Sequence, residues 1–279
     1  MYVSSTHILL TLGGKCLLNW VTLFLQKGQI CRSFLGVFSL SLAVVDTLLT
    51  FSIAKIYTHG DEFVVLFGYL MTKYDPCLLL QLMGHISRVL QWPVFLVASV
   101  HHLCTVTQRL QAYIFRPTWL FYTSVTISVW FLTALYFLLL YDFVPDISNG
   151  DTLRCRVFFS SQILHLTLLL LLILACATLF PLIKSLPRSQ TTDQRQTLCR
   201  TFVQQTLQKF LHTWTPFLVF LAVFLCHPVG IPSYLDLNVV WLCFLNSLLV
   251  AIVLCVACPS SPALQGLPKP GGGFSDWSF

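Results

Sequence analysis

Charge is what this chain has little of. Only 9% of its 279 residues are Asp, Glu, Lys or Arg, against about 25% in a soluble globular domain. Too few charged side chains are present to cover the surface of a soluble fold of this length, which argues against a soluble enzyme. A hydrophobic fraction of 56% argues against a disordered chain, which needs low hydrophobicity. Eleven cysteines are too sparse for a disulfide-built scaffold. Asn-x-Ser/Thr sequons are absent, so no N-glycan is expected. No basic stretch precedes the first apolar run, so a cleaved signal peptide is not expected either. Neither a clustered His/Asp/Glu set nor a Ser/His/Asp constellation in a familiar context is present, so the expectation is no enzyme, no metal and no cofactor. There is also no internal repeat of the kind that marks many transporters. In a chain with a mean hydropathy of +0.79, the net charge of +6 reads as a question of membrane topology, not of nucleic-acid binding.

What is there instead is long apolar sequence. A bilayer core of about 30 Å needs about 20 apolar residues per helix. Seven stretches qualify, at 7–26, 34–57, 77–107, 119–141, 157–183, 202–226 and 237–258. The expected fold is an all-α membrane protein, a bundle of seven transmembrane helices. Turn-forming or polar segments separate the spans, among them 142–151, the basic stretch 185–200 and 227–233. The organisation is a short N-terminal segment 1–6, a bundle 7–258 and a Pro/Gly-rich tail 259–279. Alternate loops sort the charges. One side, with Arg109, Arg188, Arg195 and Arg200, sums to +8, and the other to −3. The basic side is expected to be cytoplasmic, which puts the N-terminus outside and the C-terminus inside. Four basic residues between Lys184 and Arg200 also suit an anionic lipid surface.

Three charges remain inside spans: Lys15, Asp46 and Arg88. A carboxylate within an apolar helix costs a few kcal/mol and calls for a partner. Lys15 and Asn19 share one face of the first span, so Asp46 pairs with Lys15 or Arg88, or is protonated and hydrogen-bonded. Gln81, His85 and Arg88 fall on one face of the third span. That face lines a ligand cavity, with Arg88 taking an anionic group, or forms a structural network. In the sixth span Phe210 and Trp214 lie one turn apart, just before Pro216. A proline inside a helix removes a backbone bond and kinks it, so this segment is a hinge or ordinary aromatic packing. Cys77 and Cys155 are the best-placed oxidisable pair, as a bridge or as separate thiols. Cys255 and Cys258 suit palmitoylation or a packed or free thiol.

Taken in order, these residues resemble the rhodopsin-like G-protein-coupled receptors over about residues 7–258. The matching features are Asn19 in the first span, Leu42-Ala43-Val44-Val45-Asp46 in the second and Trp130 in the fourth. Phe210, Trp214 and Pro216 match the family's Phe-x-x-x-Trp-x-Pro hinge. Asn246 and Ser247 lie in the run that leads to its Asn-Pro-x-x-Tyr motif. The resemblance implies a Cys77–Cys155 disulfide, an extracellular ligand, a heterotrimeric G protein as cytoplasmic partner and a plasma-membrane location. The departures are specific. The Asp-Arg-Tyr positions fall on His101, His102 and Leu103, and the Asn-Pro-x-x-Tyr positions on Val250, Ala251 and Leu254. The expected coupling surface is then His101, His102 and the basic loop residues. Gln91 stands where the family's sodium cage has a hydroxyl, so an internal ion pair is the alternative to sodium. The intramembrane network is expected to comprise Lys15, Asn19, Asp46, Arg88, Gln91, Asn246 and Ser247. Two functions follow: a ligand-driven receptor with atypical coupling, or a receptor-shaped scaffold or dimer partner that does not couple.

Overall fold

The computed structural model describes residues 2–26, 30, 33–59, 64–66, 69–71, 75–106, 118–140, 154–156, 159–160, 162–184, 193–226 and 231–257. Seven long helices run through them: α1 (Ser5–Leu25), α2 (Phe34–His59), α3 (Asp75–Val106), α4 (Thr118–Leu140), α5 (Gln162–Lys184), α6 (Asp193–Cys226) and α8 (Val239–Ala257). A single turn, α7 (Ser233–Asp236), precedes the last. In an apolar medium each backbone N–H and C=O must be satisfied internally, which leaves the helix as the open-chain solution. Hydroxyls follow the same rule. Thr22, Thr47, Thr50, Ser52 and Thr133 each donate to the carbonyl four residues back in their own helix.

By length and composition, five of the described helices are apolar enough to cross a membrane: α1, α2, α4, α5 and α8. The other two are the longest, at 32 and 34 residues, and carry the polar residues that face the bundle or extend beyond it. The exterior is apolar. Phe121, Ile127, Phe131, Leu132 and Leu139 of α4 are all exposed. On a soluble monomer such a patch would be a liability, whereas here it faces acyl chains. α8 is the opposite case. Every residue from Val239 to Cys255 is buried or half-buried, because α8 packs against α1, α2, α3, α5 and α6. The main core joins Phe38, Leu42, Leu90, Val94, Phe210, Trp214 and Phe244. A smaller cluster of Ile8, Leu12, Leu49, Ile53, Leu80 and Tyr234 fills the space between α1, α2, α3 and α7.

Among the described residues, six short strands decorate the end at which α1 begins. β1 (Tyr2–Ser4) pairs antiparallel with β4 (Arg154–Arg156), placing Val3 opposite Cys155. β2 (Val64–Leu66) and β3 (Tyr69–Met71) form a hairpin between α2 and α3. β5 (Phe159–Ser160) pairs with β6 (Ile231–Pro232). The segment before α5 is thereby tied both to the N-terminal strand and to the segment before α7.

Several expected boundaries move. The fifth helix starts at Gln162 rather than 157, because Phe159 and Ser160 are spent in β5. Composition reads 185–200 as a loop, yet residues from Asp193 onward are helical, so α6 begins nine residues earlier than hydropathy places it. Amphipathic polar sequence extends a helix beyond the apolar core, and a hydropathy threshold is blind to that. The seventh span begins at Val239 rather than 237: a separate turn, α7, precedes it, and Leu237 between the two is extended at φ −86°, ψ 111°. The tail 259–279 lies outside the described residues.

α7 docks on α3 at a glycine. A Cβ on Gly84 would run into Ser233 Oγ and stand 3.1 Å from its Cβ. Small residues at such crossings let helix backbones approach closely in membranes. Gly84→Ala is expected to destabilise the protein by about 1–3 kcal/mol, with Ser233→Ala in the same chain restoring part of the loss. Thermal melts of the detergent-solubilised variants measure both, and a neutral Gly84→Ala would contradict the close approach.

Candidate functional site

The polar centre of the bundle is built where α1, α2 and the break between α7 and α8 meet. Asp46 sits midway along α2 and is 1% exposed; Asn19 is 0% and Lys15 7% exposed. Lys15 and Asn19 are one turn apart, so both reach the same carboxylate. Lys15 Nζ donates to Asp46 Oδ1 at 2.9 Å, and Asn19 Nδ2 donates to Asp46 Oδ2 at 2.7 Å. These are the short distances of charge-assisted bonds. Of the two pairings the sequence left open for Asp46, the structure has Lys15.

The same two α1 residues reach across to the break. Lys15 Nζ also donates to the Tyr234 carbonyl at 2.9 Å, and the Val239 N–H donates to Asn19 Oδ1 at 3.0 Å. Asn238 completes the repair. Its Oδ1 accepts from the Trp241 N–H at 2.8 Å, the N-cap geometry that starts α8, and its Nδ2 donates to the Leu235 carbonyl at 3.1 Å. The Tyr234 hydroxyl shares a 3.0 Å hydrogen bond with Thr11 Oγ1 on α1. Backbone groups freed at a buried junction between two helices must be satisfied, and here Lys15, Asn19 and Asn238 do so. Sequence reasoning missed Tyr234 and Asn238. Asn238 before the apolar run of α8 is a readable N-cap signal. Tyr234 contributes through its carbonyl, which no side-chain pattern announces.

The rest of the expected network divides. Asn246 Oδ1 lies 2.7 Å from His102 Nε2 on α3, and Ser247 bonds the Cys243 carbonyl of its own helix. Gln91 Nε2 and Arg88 Nε are buried without a hydrogen-bond partner. The sodium cage that the resemblance implies does not fit these residues. Asp46 Oδ1 is taken by an ammonium, Oδ2 by an amide, and Ser247 by its own backbone.

On the α3 stripe, Gln81 Nε2 lies 3.8 Å from Cys77 Sγ, and the His85 ring sits 6.2 Å from Phe137 of α4. The sulfur of Cys77 is held in a disulfide, while Cys155 lies in β4, where the side chains fall outside the described set. Cys255 is a buried free thiol, which removes it as an accessible lipidation site. Near the C-terminal end of α3, His102 is buried and His101 half-buried. His102 is buried against Asn246, and His101 Nε2 lies 2.9 Å from the Tyr122 hydroxyl of α4. The chain spends them on helix–helix contacts, because an imidazole within an apolar bundle needs a partner. Arg195 and Arg200 lie in the first turns of α6; Arg109 and Arg188 are outside the described residues.

Pro216 lies inside α6, and Pro93 inside α3. Phe244 of α8 is the centre of the aromatic group beside Pro216. Its ring is 5.7 Å from Phe210, 5.2 Å from Trp214 and 4.9 Å from Phe217. Trp130 of α4 stacks on Phe38 and donates to Ser41 Oγ of α2 at 3.0 Å.

No protein-family model matches the chain, and no solved structure does. Individual proteins do match. The human protein named "Probable G-protein coupled receptor 160" is 29% identical over 95% of this chain and 83% of its own length. The rat protein of that name is 29% identical over 88% of this chain and 79% of its own length. The mouse protein of the same name is 30% identical over 98% of this chain and 87% of its own length. Identity at that level across nearly the whole chain settles the family: this protein belongs with the probable G-protein coupled receptor 160 proteins, as a multi-pass, seven-helix membrane receptor and not an enzyme.

Proposed function

We propose that the protein is a plasma-membrane receptor that carries a signal from an extracellular ligand to a heterotrimeric G protein by movement of α6 about Pro216. The observation that carries this reading is the aromatic junction at Phe244. It couples the proline-containing α6 to the most deeply buried helix of the bundle, so a swing of α6 must repack one defined set of rings. The charge distribution supports an outer N-terminus and an inner C-terminus. The strands then lie outside, where a Cys77–Cys155 bridge would anchor the segment before α5 to α3. The ligand enters beside the α3 stripe of Gln81, His85 and Arg88, or contacts the loop 142–156. Arg109, Arg188, Arg195 and Arg200 meet the cytoplasmic partner or anionic lipid.

A second reading, a scaffold that does not couple, is favoured by His102. Where the family has an arginine for its partner, this chain has an imidazole bonded to Asn246 inside the bundle. Expression of the full chain at the cell surface separates the two readings, with basal and ligand-screened activation read for each G-protein class. The receptor reading expects activation of at least one class, reduced several-fold by Pro216→Ala. Surface expression without activation of any class would leave the scaffold.

A further inference from the structure

The arrangement around Lys15 has the chemistry of an ion site whose ion is part of the chain. A buried carboxylate oxygen beside a backbone carbonyl freed at a helix end is a donor set that takes a monovalent cation. Both are present here within reach of one point: Asp46 Oδ1 and the Tyr234 carbonyl oxygen, each 2.9 Å from Lys15 Nζ. What stands at that point is the ammonium group, which has three N–H donors and spends two of them on these oxygens. Asn19 closes the second carboxylate oxygen and the free N–H of Val239, so the carboxylate has a partner on each oxygen.

We propose that the Lys15 ammonium is the built-in cation of this receptor, filling an oxygen site made by Asp46 and the Tyr234 carbonyl and thereby latching α7, the turn that leads into the seventh span, to α1 and α2. A tethered cation cannot dissociate, since its four-carbon stem holds it at the site whatever the salt outside. The charge of Asp46 is neutralised without any ion drawn from solution. The carbonyl of Tyr234 stays satisfied only while α7 keeps its place beside α1. Movement of α7 therefore requires the ammonium to give up one of its two oxygens. The inference stands on the geometry of these residues and not on the receptor reading; no signalling is measured in its test.

The test is thermal unfolding of the purified full chain in detergent at constant ionic strength, with choline chloride replaced stepwise by sodium chloride or potassium chloride. The wild type is expected to melt at the same temperature in all three salts. Lys15→Met removes the ammonium and keeps the apolar bulk of the stem. It is expected to melt lower in choline and to recover several degrees as sodium is added, in a saturating curve. Lys15→Met with Asp46→Asn is expected to lose that response. A sodium-specific rise in the wild type would overturn the proposal, because it would mean that a free ion is taken despite the lysine. A folded Lys15→Met that ignores sodium would overturn it equally. Where Lys15→Met does not accumulate, the wild-type titration decides beside Asp46→Asn: salt-independence of both supports the tethered cation, and a sodium response present only in the wild type removes it.

Discussion

Lys15→Ala is expected to destabilise the protein by about 3–5 kcal/mol, the range for breaking a buried ion pair from one side. The size follows from what is left behind. Asp46 is 1% exposed and would keep only the Asn19 amide, while the Tyr234 carbonyl would lose its donor inside the membrane. Protonation of Asp46 would relieve part of this, which places the expectation toward the lower end. Removing both charges at once is a different experiment. A buried pair repays its own desolvation poorly, so well-packed apolar replacements are often neutral or stabilising. Lys15→Met with Asp46→Leu is therefore expected to lose less than Lys15→Ala alone. Unfolding of the single and double variants in mixed micelles gives the double-mutant cycle. Strict additivity within about 0.5 kcal/mol would mean that the two side chains do not act as a pair.

Phe244→Ala carries the other large effect, about 3 kcal/mol. Phe-to-Ala changes in soluble cores cost about 3–5 kcal/mol through lost transfer energy and a residual cavity. In a bilayer the transfer part shrinks, because lipid tails are as apolar as the core. The cavity part remains, and at Phe244 it is large. The ring touches Phe210, Trp214 and Phe217 at once, and α8 is enclosed by five other helices that cannot all collapse onto the gap. Exposed Phe131 on α4 is the control: its ring faces lipid, so Phe131→Ala is expected to cost less than about 1 kcal/mol. Equal losses at the two positions would show that the aromatic junction contributes no packing of its own.

These two cases mark how far sequence reading reaches. Asp46 was legible as a residue in need of a partner, because a carboxylate in an apolar run is expensive wherever it points. Lys15 and Asn19 were legible as sharing a face, because helical spacing alone places them so. That Lys15 and not Arg88 closes on Asp46 was not legible. Both are long cations one helix away, and only the packing of α1 on α2 chooses between them. The partners of the histidines were hidden for a similar reason. Position along α3 put His101 and His102 near its C-terminal end, but burial depends on how α4 and α8 close around that end, and those contacts assign each imidazole a partner.

Hydropathy was sufficient for seven helices, since span length follows from bilayer thickness and helical rise. It could not see α7 or the extended Leu237 behind it, because Ser233–Asp236 lies ahead of the apolar stretch that begins at 237. There the chain departs from helix because α1 supplies donors and acceptors for the freed backbone groups, and those come from residues more than two hundred positions away. The polar extension of α6 and the strand pairings of the N-terminal segment were hidden for related reasons. The first is stabilised by local helical bonds that need no apolar residue, and the second by backbone groups that every sequence possesses.

The scarcity of charge determined, from the sequence alone, that the chain lives in a membrane and that Lys15, Asp46 and Arg88 are the exceptions to explain. Only the tertiary structure decided which of them pair, because a charge within a bilayer takes the partner that helix packing brings within about 3 Å, and distance along the chain carries no information about that.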